Sequence, residues 1–314
     1  MLFQEYYKCG KNKPVISFEI FPPKTDAGFK NLKSTLKDLV GLEPDFITVT
    51  YGAMGTTRDK TLEIAALIKN ELGVESACHL TCVGASRNEL DDTLRRIYDS
   101  GLRNIVALRG DPPGGGEFTQ PEDGYRYGSD LVRHIREFEA REFGGRTFGV
   151  AVGGYPETHP EATGPVEDLA NLKNKVDTGA DLVITQLFFD NALFFDFEKR
   201  TRAAGIETPV IPGLMPILSS KQIERITSMC GASIPPGLRA ELDKCKADDD
   251  AARRVGIDLC ISQAKELLER GVGGIHFYVL NKSDHIKEIM EALPLRRESG
   301  YENRVGAGNP GIRL

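Results

Sequence analysis

What the sequence lacks narrows the protein before any motif is considered. No apolar run approaches the roughly 18 residues that span a bilayer. The first fourteen residues, MLFQEYYKCGKNKP, lack the apolar stretch of a signal peptide. Both features lead to the expectation of a cytoplasmic protein with no membrane partner. Positive charge is not in excess either. The net charge of -6 argues against a nucleic-acid partner, which needs a basic face. The six cysteines are scattered, as expected of reduced thiols. Only Cys78 and Cys82, around His79, form a cluster. On a strand, His79 would face away from both thiols, and no second ligand pair follows at short spacing, so no metal is expected. The nucleotide fingerprints are missing as well. The strand near residue 150 ends in Gly153-Gly154 without G-x-G-x-x-G spacing. The run Gly114-Gly115-Gly116 lacks a following Gly-Lys-Ser/Thr. These omissions count against a doubly wound sheet.

What is present is an alternation. Strands are expected at residues 15–21, 46–51, 76–82, 104–111, 147–154, 182–189, 209–214 and 273–280, from β-branched and apolar runs. Helical spacing fills the segments between them, at 26–42, 59–72, 86–100, 129–143, 166–178, 192–204, 219–229, 251–270 and 284–293. Ser86 with Glu89 forms a capping box, and Gly73 and Gly179 stop their helices. Residues 231–250 are irregular, with room for a short extra helix. Eight strands alternating with helices over 314 residues indicate an α/β protein, a (β/α)8 TIM barrel forming a single domain. The barrel spans residues 15–293, with an N-terminal arm at 1–14 and a polar, glycine-containing tail at 294–314.

In such a barrel the C-terminal strand ends converge on one face, where the active site is built. The polar residues there are Glu19, Thr50, His79, Arg109, Asp111, Tyr155, Glu157, His159, Gln186, Asp190, Tyr278 and Asn281. Each taken singly is also a cap or a turn former. The stretch Asn104 to Asp111 turns from buried strand to charge within three residues, and strand alternation would put Arg109 and Asp111 on one face. Glu19 interrupts an apolar strand between Phe18 and Ile20. An ionised carboxylate is costly there unless paired. It reads either as half of a structural ion pair or as a general acid with a pKa raised by its apolar neighbours. Asp168, Asn171 and Lys175 share one helical face. A Schiff-base enzyme would need an inward lysine, and none of the eight strand cores contains one. An inert scaffold subunit is opposed by the polar strand ends.

Several blocks occur in a characteristic order: Phe18-Glu19-Ile20-Phe21-Pro22-Pro23, Thr48-Val49-Thr50-Tyr51-Gly52, His79-Leu80-Thr81-Cys82 and Ala107-Leu108-Arg109-Gly110-Asp111. They continue with Tyr155-Pro156-Glu157-Thr158-His159-Pro160-Glu161, residues 171–177, Thr185-Gln186-Leu187-Phe188-Phe189-Asp190 and His276-Phe277-Tyr278. In these blocks the chain resembles the methylenetetrahydrofolate reductases, in their short bacterial form without the regulatory domain of animal enzymes. The resemblance implies an FAD flavoenzyme of one-carbon metabolism and methionine biosynthesis. It would reduce 5,10-methylenetetrahydrofolate to 5-methyltetrahydrofolate by passing hydride from a nicotinamide nucleotide through the flavin. It further implies that Thr50, His79, Arg109, Gly110, Asp111, Tyr127, Gly128, Tyr155, His159, Asp168, Asn171 and Lys175 contact FAD. Arg109 and Lys175 would meet its pyrophosphate, and Asp168 its ribose. Glu19 and Asp111 would be catalytic. Together with Gln186 and Tyr278 they would also bind substrate, with Gln186 serving the nicotinamide as well. Two positions depart from the pattern. Gly128 stands where some relatives have Ala, and Ile226 stands where related bacterial enzymes place a Phe over the nicotinamide. The electron donor therefore stays open between NADH, NADPH and an electron-delivering partner subunit. A homo-oligomer is the expected assembly.

Overall fold

Alternation along each strand builds a closed barrel with two distinct linings. The structure, a computed structural model, describes residues 1–8, 13–51, 58–111 and 118–295. Cys9, the Gly114-Gly115-Gly116 run and the tail beyond residue 295 lie outside the described residues. The strands are β1 (Val15–Ile20), β2 (Phe46–Val49), β3 (Glu75–Thr81), β4 (Asn104–Leu108), β5 (Gly149–Gly154), β6 (Leu182–Thr185), β7 (Val210–Ile211), β8 (Gly213–Leu214) and β9 (Gly274–Tyr278). All pairings are parallel, in the order β7-β6-β5-β4-β3-β2-β1-β9-β8.

The two end strands of that order, β7 and β8, are consecutive in the chain and separated only by Pro212. Proline has no N–H to give the ladder, so one expected strand is written as two. The Pro212 carbonyl accepts from His276 N at 3.0 Å. The nine segments thus make eight barrel strands, as the sequence pattern led one to expect.

The helices are α1 (Phe3–Tyr6), α2 (Asp26–Val40), α3 (Arg58–Asn70), α4 (Arg87–Asp99), α5 (Gly128–Phe143), α6 (Pro165–Asp177), α7 (Asn191–Ala203), α8 (Ser220–Cys230), α9 (Pro236–Lys244), α10 (Asp249–Glu269) and α11 (Asp284–Ala292). The Ser86/Glu89 capping box opens α4 as expected. The short extra helix of residues 231–250 is α9. No helix among the described residues is long and apolar enough to cross a membrane.

Outward-facing strand residues such as Phe18, Ile47, Cys78, Ile105, Val150 and Phe277 are buried against the helices in one continuous core. Cys78 and Cys82 belong to this outer layer and His79 does not. Their alternation was therefore read correctly. Inward-facing residues form a second, smaller cluster, with Val15, Phe46, Ala77, Val106, Ala151 and Leu182 at its centre.

The N-terminal arm closes this cluster from below. Phe3 is fully buried and meets the Phe46 ring edge-on at 5.1 Å. Its N–H donates to Asn104 Oδ1 at 2.9 Å, while Asn104 Nδ2 donates to the Met1 carbonyl at 2.8 Å. Gly149 makes this approach possible. A Cβ there would lie 2.4 Å from Asn104 Oδ1 and 2.7 Å from Phe3 N. The lower half of the barrel interior is thereby closed by an apolar plug, and the cavity at the strands' C-terminal ends lies above it.

Candidate active site

The space above the plug is a cavity of about 330 Å³ at the C-terminal ends of the strands. Glu19, His79, Gln186 and Tyr278 supply its polar wall, and Leu187, Met215 and Ile226 much of its apolar one. The polar groups come from β1, β3, β9 and the segment after β6, so only ring closure assembles them.

Glu19 lies at the cavity base with 17% of its side chain exposed. Thr48 Oγ1 donates to its Oε2 at 3.2 Å. His276 Nε2 lies 3.4 Å from that oxygen and His79 Nε2 3.1 Å from it. The His79 contact is one of charge, because its N–H is not aimed along the line. This environment corrects the expected direction of the Glu19 pKa. Burial does push the carboxyl up. The pull of the His79 imidazole and the hydrogen bond from His276 outweigh it, and the net displacement is well below the usual carboxylate range. The partners of the carboxylate are imidazoles, not the inward Arg or Lys of a conventional ion pair.

The Arg109 stretch is also corrected. β4 ends at Leu108, so Arg109 and Asp111 do not share a strand face. Gly110 turns the chain with φ +85°. A Cβ there would meet Val83 and Thr81 at 2.6 and 2.9 Å, so only glycine fits. Asp111 is exposed. Arg109 forms a two-pronged ion pair with Glu161, at 2.5 and 2.7 Å, and its guanidinium lies 5.5 Å from the Phe118 ring centre.

Lys175 reaches from α6 to the barrel, where its ammonium donates to the Gly153 carbonyl at 2.6 Å. Burial lowers its pKa to about 8, against a smaller opposing pull from Asp168. No carboxylate among the described residues lies within ion-pair distance of it. The Asp168 carboxylate accepts from His159 N at 3.1 Å. The His159 ring stands edge-on to Tyr155 at 4.6 Å. Burial lowers the His159 pKa and raises that of Tyr155 to about 12. Asn171, on α6, and Tyr127, before α5, are both exposed. Gly128 opens α5, where an added Cβ would sit 3.4 Å from Arg109 N, so an alanine at this position would be accommodated.

Three strand-end residues have structural duties instead. Asp190 caps α7 by accepting from Ala192 N. Glu157 accepts from Ser233 N at 2.9 Å. Asn281 bonds both backbone groups of Phe21, at 2.9 and 2.7 Å. Thr50 lines the cavity, as does Gln186, whose own Oε1 accepts from Leu187 N. Sequence reasoning missed Thr48 and His276 as site residues. Strand parity could have found both, since Thr48 is two residues from Thr50 and His276 two from Tyr278.

A family model described as methylenetetrahydrofolate reductase matches residues 3–294. The chain belongs to the methylenetetrahydrofolate reductase family. Among its relatives, an Escherichia coli protein named 5,10-methylenetetrahydrofolate reductase is 39% identical over 282 residues, covering 90% of this chain and 91% of its own length. A Zea mays protein named methylenetetrahydrofolate reductase (NADH) 1 is 41% identical over 301 residues, covering 93% of this chain. The chain spans about half the length of the plant relatives it matches, 50% for that of maize. Among solved structures, a Clostridium thermocellum protein described as binding two copies of 5-methyl-5,6,7,8-tetrahydrofolic acid superposes with a TM-score of 0.61 at 18% identity. It covers 89% of this chain and 93% of its own, a likeness that supports the barrel fold. In this methylenetetrahydrofolate reductase family member, Glu19, Thr50, His79, Tyr155, Gln186 and Tyr278 of the resemblance blocks line one cavity.

Proposed function

We propose that this chain reduces 5,10-methylenetetrahydrofolate to 5-methyltetrahydrofolate with a nicotinamide nucleotide as hydride donor and FAD as bound carrier. The observation that carries the proposal is Glu19, one carboxylate at the base of a largely apolar cavity at the catalytic end of a barrel. Opening the methylene-bridged ring needs a proton on a departing nitrogen, and a carboxyl in the cavity can deliver it. Since Glu19 is held in its ionised form without substrate, it takes up that proton as the folate binds, when water is displaced and burial of the carboxylate becomes more costly.

The residues fit a flavin dinucleotide. The Lys175 ammonium bonds the Gly153 carbonyl and has no carboxylate within ion-pair distance among the described residues, an arrangement that a phosphate would complete. Arg109 is a second fixed cation, and Glu161 already shows that it takes a two-pronged anion. Gly110 and Gly128 keep the adjoining backbone bare. In this proposal Arg109 and Lys175 hold the pyrophosphate, and Asp168 receives ribose hydroxyls. Thr50, His79, Tyr127, Tyr155, His159 and Asn171 complete the cofactor's surroundings. When bound, FAD supplies the hydride chemistry that no side chain can perform. Gln186 and Tyr278 orient the folate, Asp111 keeps negative charge near the flavin and pterin, and Leu187, Met215 and Ile226 exclude water.

The maize and Arabidopsis thaliana relatives are named as NADH enzymes, which makes NADH the first donor to test. The experiment is purification followed by anaerobic stopped-flow. The expected protein is yellow, releases FAD on denaturation, is bleached by NADH or NADPH, and regains colour on adding methylenetetrahydrofolate. A folded, colourless chain that does not take up FAD would overturn the proposal. A flavin that neither nicotinamide reduces would move the donor to a partner subunit.

A further inference from the structure

We propose that His276, locked by Ser17, is a positioning residue that pins one oxygen of Glu19 and thereby sets how tightly this carboxylate holds a proton. The inference rests on the proposed role of Glu19 but is carried by geometry inside the barrel. All three contacts to the carboxylate converge on Oε2, from Thr48, His276 and His79. Oε1 makes no hydrogen bond among the described residues. The carboxylate is therefore held by one oxygen and presents the other to the cavity.

His276 is fully buried, as is Ser17, and it belongs to the floor beneath the cavity and not to its wall. Its Nδ1 lies 2.8 Å from Ser17 Oγ. A hydroxyl that donates to Nδ1 leaves the ring proton on Nε2, the nitrogen facing Glu19. The ring cannot turn to evade that assignment. It lies against Phe46 at 6.4 Å and edge-on to Tyr278 at 5.3 Å. The titratable groups facing Glu19 are thus His276 and Tyr278 from β9 and His79 from β3. The Tyr278 hydroxyl is committed to the Thr185 carbonyl at 2.7 Å. Thr48 of β2 is a donor that does not titrate.

A donor aimed at the ionised carboxylate stabilises that form. Removing it must raise the affinity of Glu19 for a proton. Ser17 acts at one further remove, by choosing the tautomer.

The test uses the full chain labelled at glutamate Cδ with ¹³C and at histidine with ¹⁵N. In the parent, His276 should show a single Nε2–H tautomer, lost in Ser17→Ala. A parent His276 in the Nδ1–H form would overturn the proposal without any variant. In His276→Leu the Glu19 titration should move up by about one pH unit, the scale of one charge-assisted hydrogen bond. His276→Gln, whose amide N–H can reach the same oxygen, should restore it. A folded His276→Leu protein with an unmoved Glu19 titration would overturn the pinning. So would loss of FAD and of both half-reactions together without a titration shift, the mark of a purely structural residue. If the titration moves and the pH limit of the folate half-reaction moves with it, both the pinning and the acid role stand. If it moves while that half-reaction keeps its pH profile, the pinning stands and the assignment of Glu19 as the acid fails.

Discussion

The floor and the mouth of the barrel are made by the same strands a few residues apart. β1 gives Val15 to the floor and Glu19 to the mouth, and β2 gives Phe46 below and Thr48 one step above it. Below, Phe3, Phe46, Ala77 and Leu182 are buried against one another in the inner cluster. Above, Glu19, His79, Gln186 and Tyr278 surround free space. The difference is one of purpose within a single register. Close packing stabilises the lower half. In the upper half, polar groups bear a desolvation cost that hydrogen bonds only partly offset. Stability and chemistry can therefore be disturbed separately, by substitutions on the same strand.

Glu19→Gln is expected to have the largest effect on the mouth alone. Gln keeps the shape and still accepts from Thr48 but has no acidic proton. Reoxidation of the flavin by methylenetetrahydrofolate should slow by about 10²–10⁴-fold, while reduction by the nicotinamide continues near the parent rate. Stopped-flow absorbance follows the two separately. If both slow together, Glu19 is a binding residue and the comparison loses its chemical half.

Phe46→Ala is the matching disturbance of the floor. The ring is buried against Phe3 and Tyr6, at 5.1 and 5.4 Å. Its removal should cost about 3–5 kcal/mol of stability, read as a lower denaturation midpoint. The protein that remains folded should still bind FAD. A midpoint within error of the parent would show that the plug collapses around the cavity.

The contrast also separates what could be read from sequence. Strand and helix alternation was legible because buried parallel strands are continuous apolar runs, and Glu19 was legible because it breaks one. The floor was not. α1 has four residues, too few for any periodicity, and its role depends on Asn104 and Gly149 far along the chain. The direction of the Glu19 pKa was not legible either. It is decided by His79 and His276, 60 and 257 residues away in sequence, which only barrel closure brings to one oxygen. The end of β4 was misplaced because Arg109 and Asp111 alternate like strand residues, while the left-handed turn at Gly110 takes them off the sheet. Asp190 and Asn281 look like site residues in sequence because caps and active sites draw on the same polar side chains.

Smaller effects are expected at the cofactor cations. Arg109→Ala and Lys175→Ala should each weaken FAD binding by about 1.5–3 kcal/mol, the value of a hydrogen bond to a charged group, measured by flavin fluorescence on dilution. The two differ in pH dependence. Lys175, its pKa lowered to about 8 by burial, is charged below that pH and loses its proton above it. A phosphate favours the charged form, so binding above pH 8 must also take up a proton. FAD affinity should fall there by up to about tenfold per pH unit, and Lys175→Met should flatten this slope while Arg109→Ala retains it. A parent affinity that is flat from pH 7 to 9 would remove Lys175 from the phosphate site.

Asp111→Asn is expected to give the smallest effect, and it sharpens the contrast at its solvent edge. Asp111 is exposed, and the Arg109 guanidinium feels its charge, so both water and a neighbouring cation reduce its field. Coulomb's law at a dielectric near that of water gives about 1 kcal/mol at 4 Å, which is about 20 mV for a two-electron couple. The sign follows from charge alone. Reduced flavin gains negative charge, and removing a nearby carboxylate stabilises it, so the midpoint potential should rise. Reduction by the nicotinamide should then be preserved, and hydride donation to the folate should weaken a few-fold. Potentiometric titration of the FAD-replete variant measures the first effect directly. A rise far above about 20 mV would mean that bound cofactor and folate bury Asp111, making it a member of the dry mouth. No rise at all would place it away from the flavin, and the charged edge of the site would then be Arg109 with Glu161 alone.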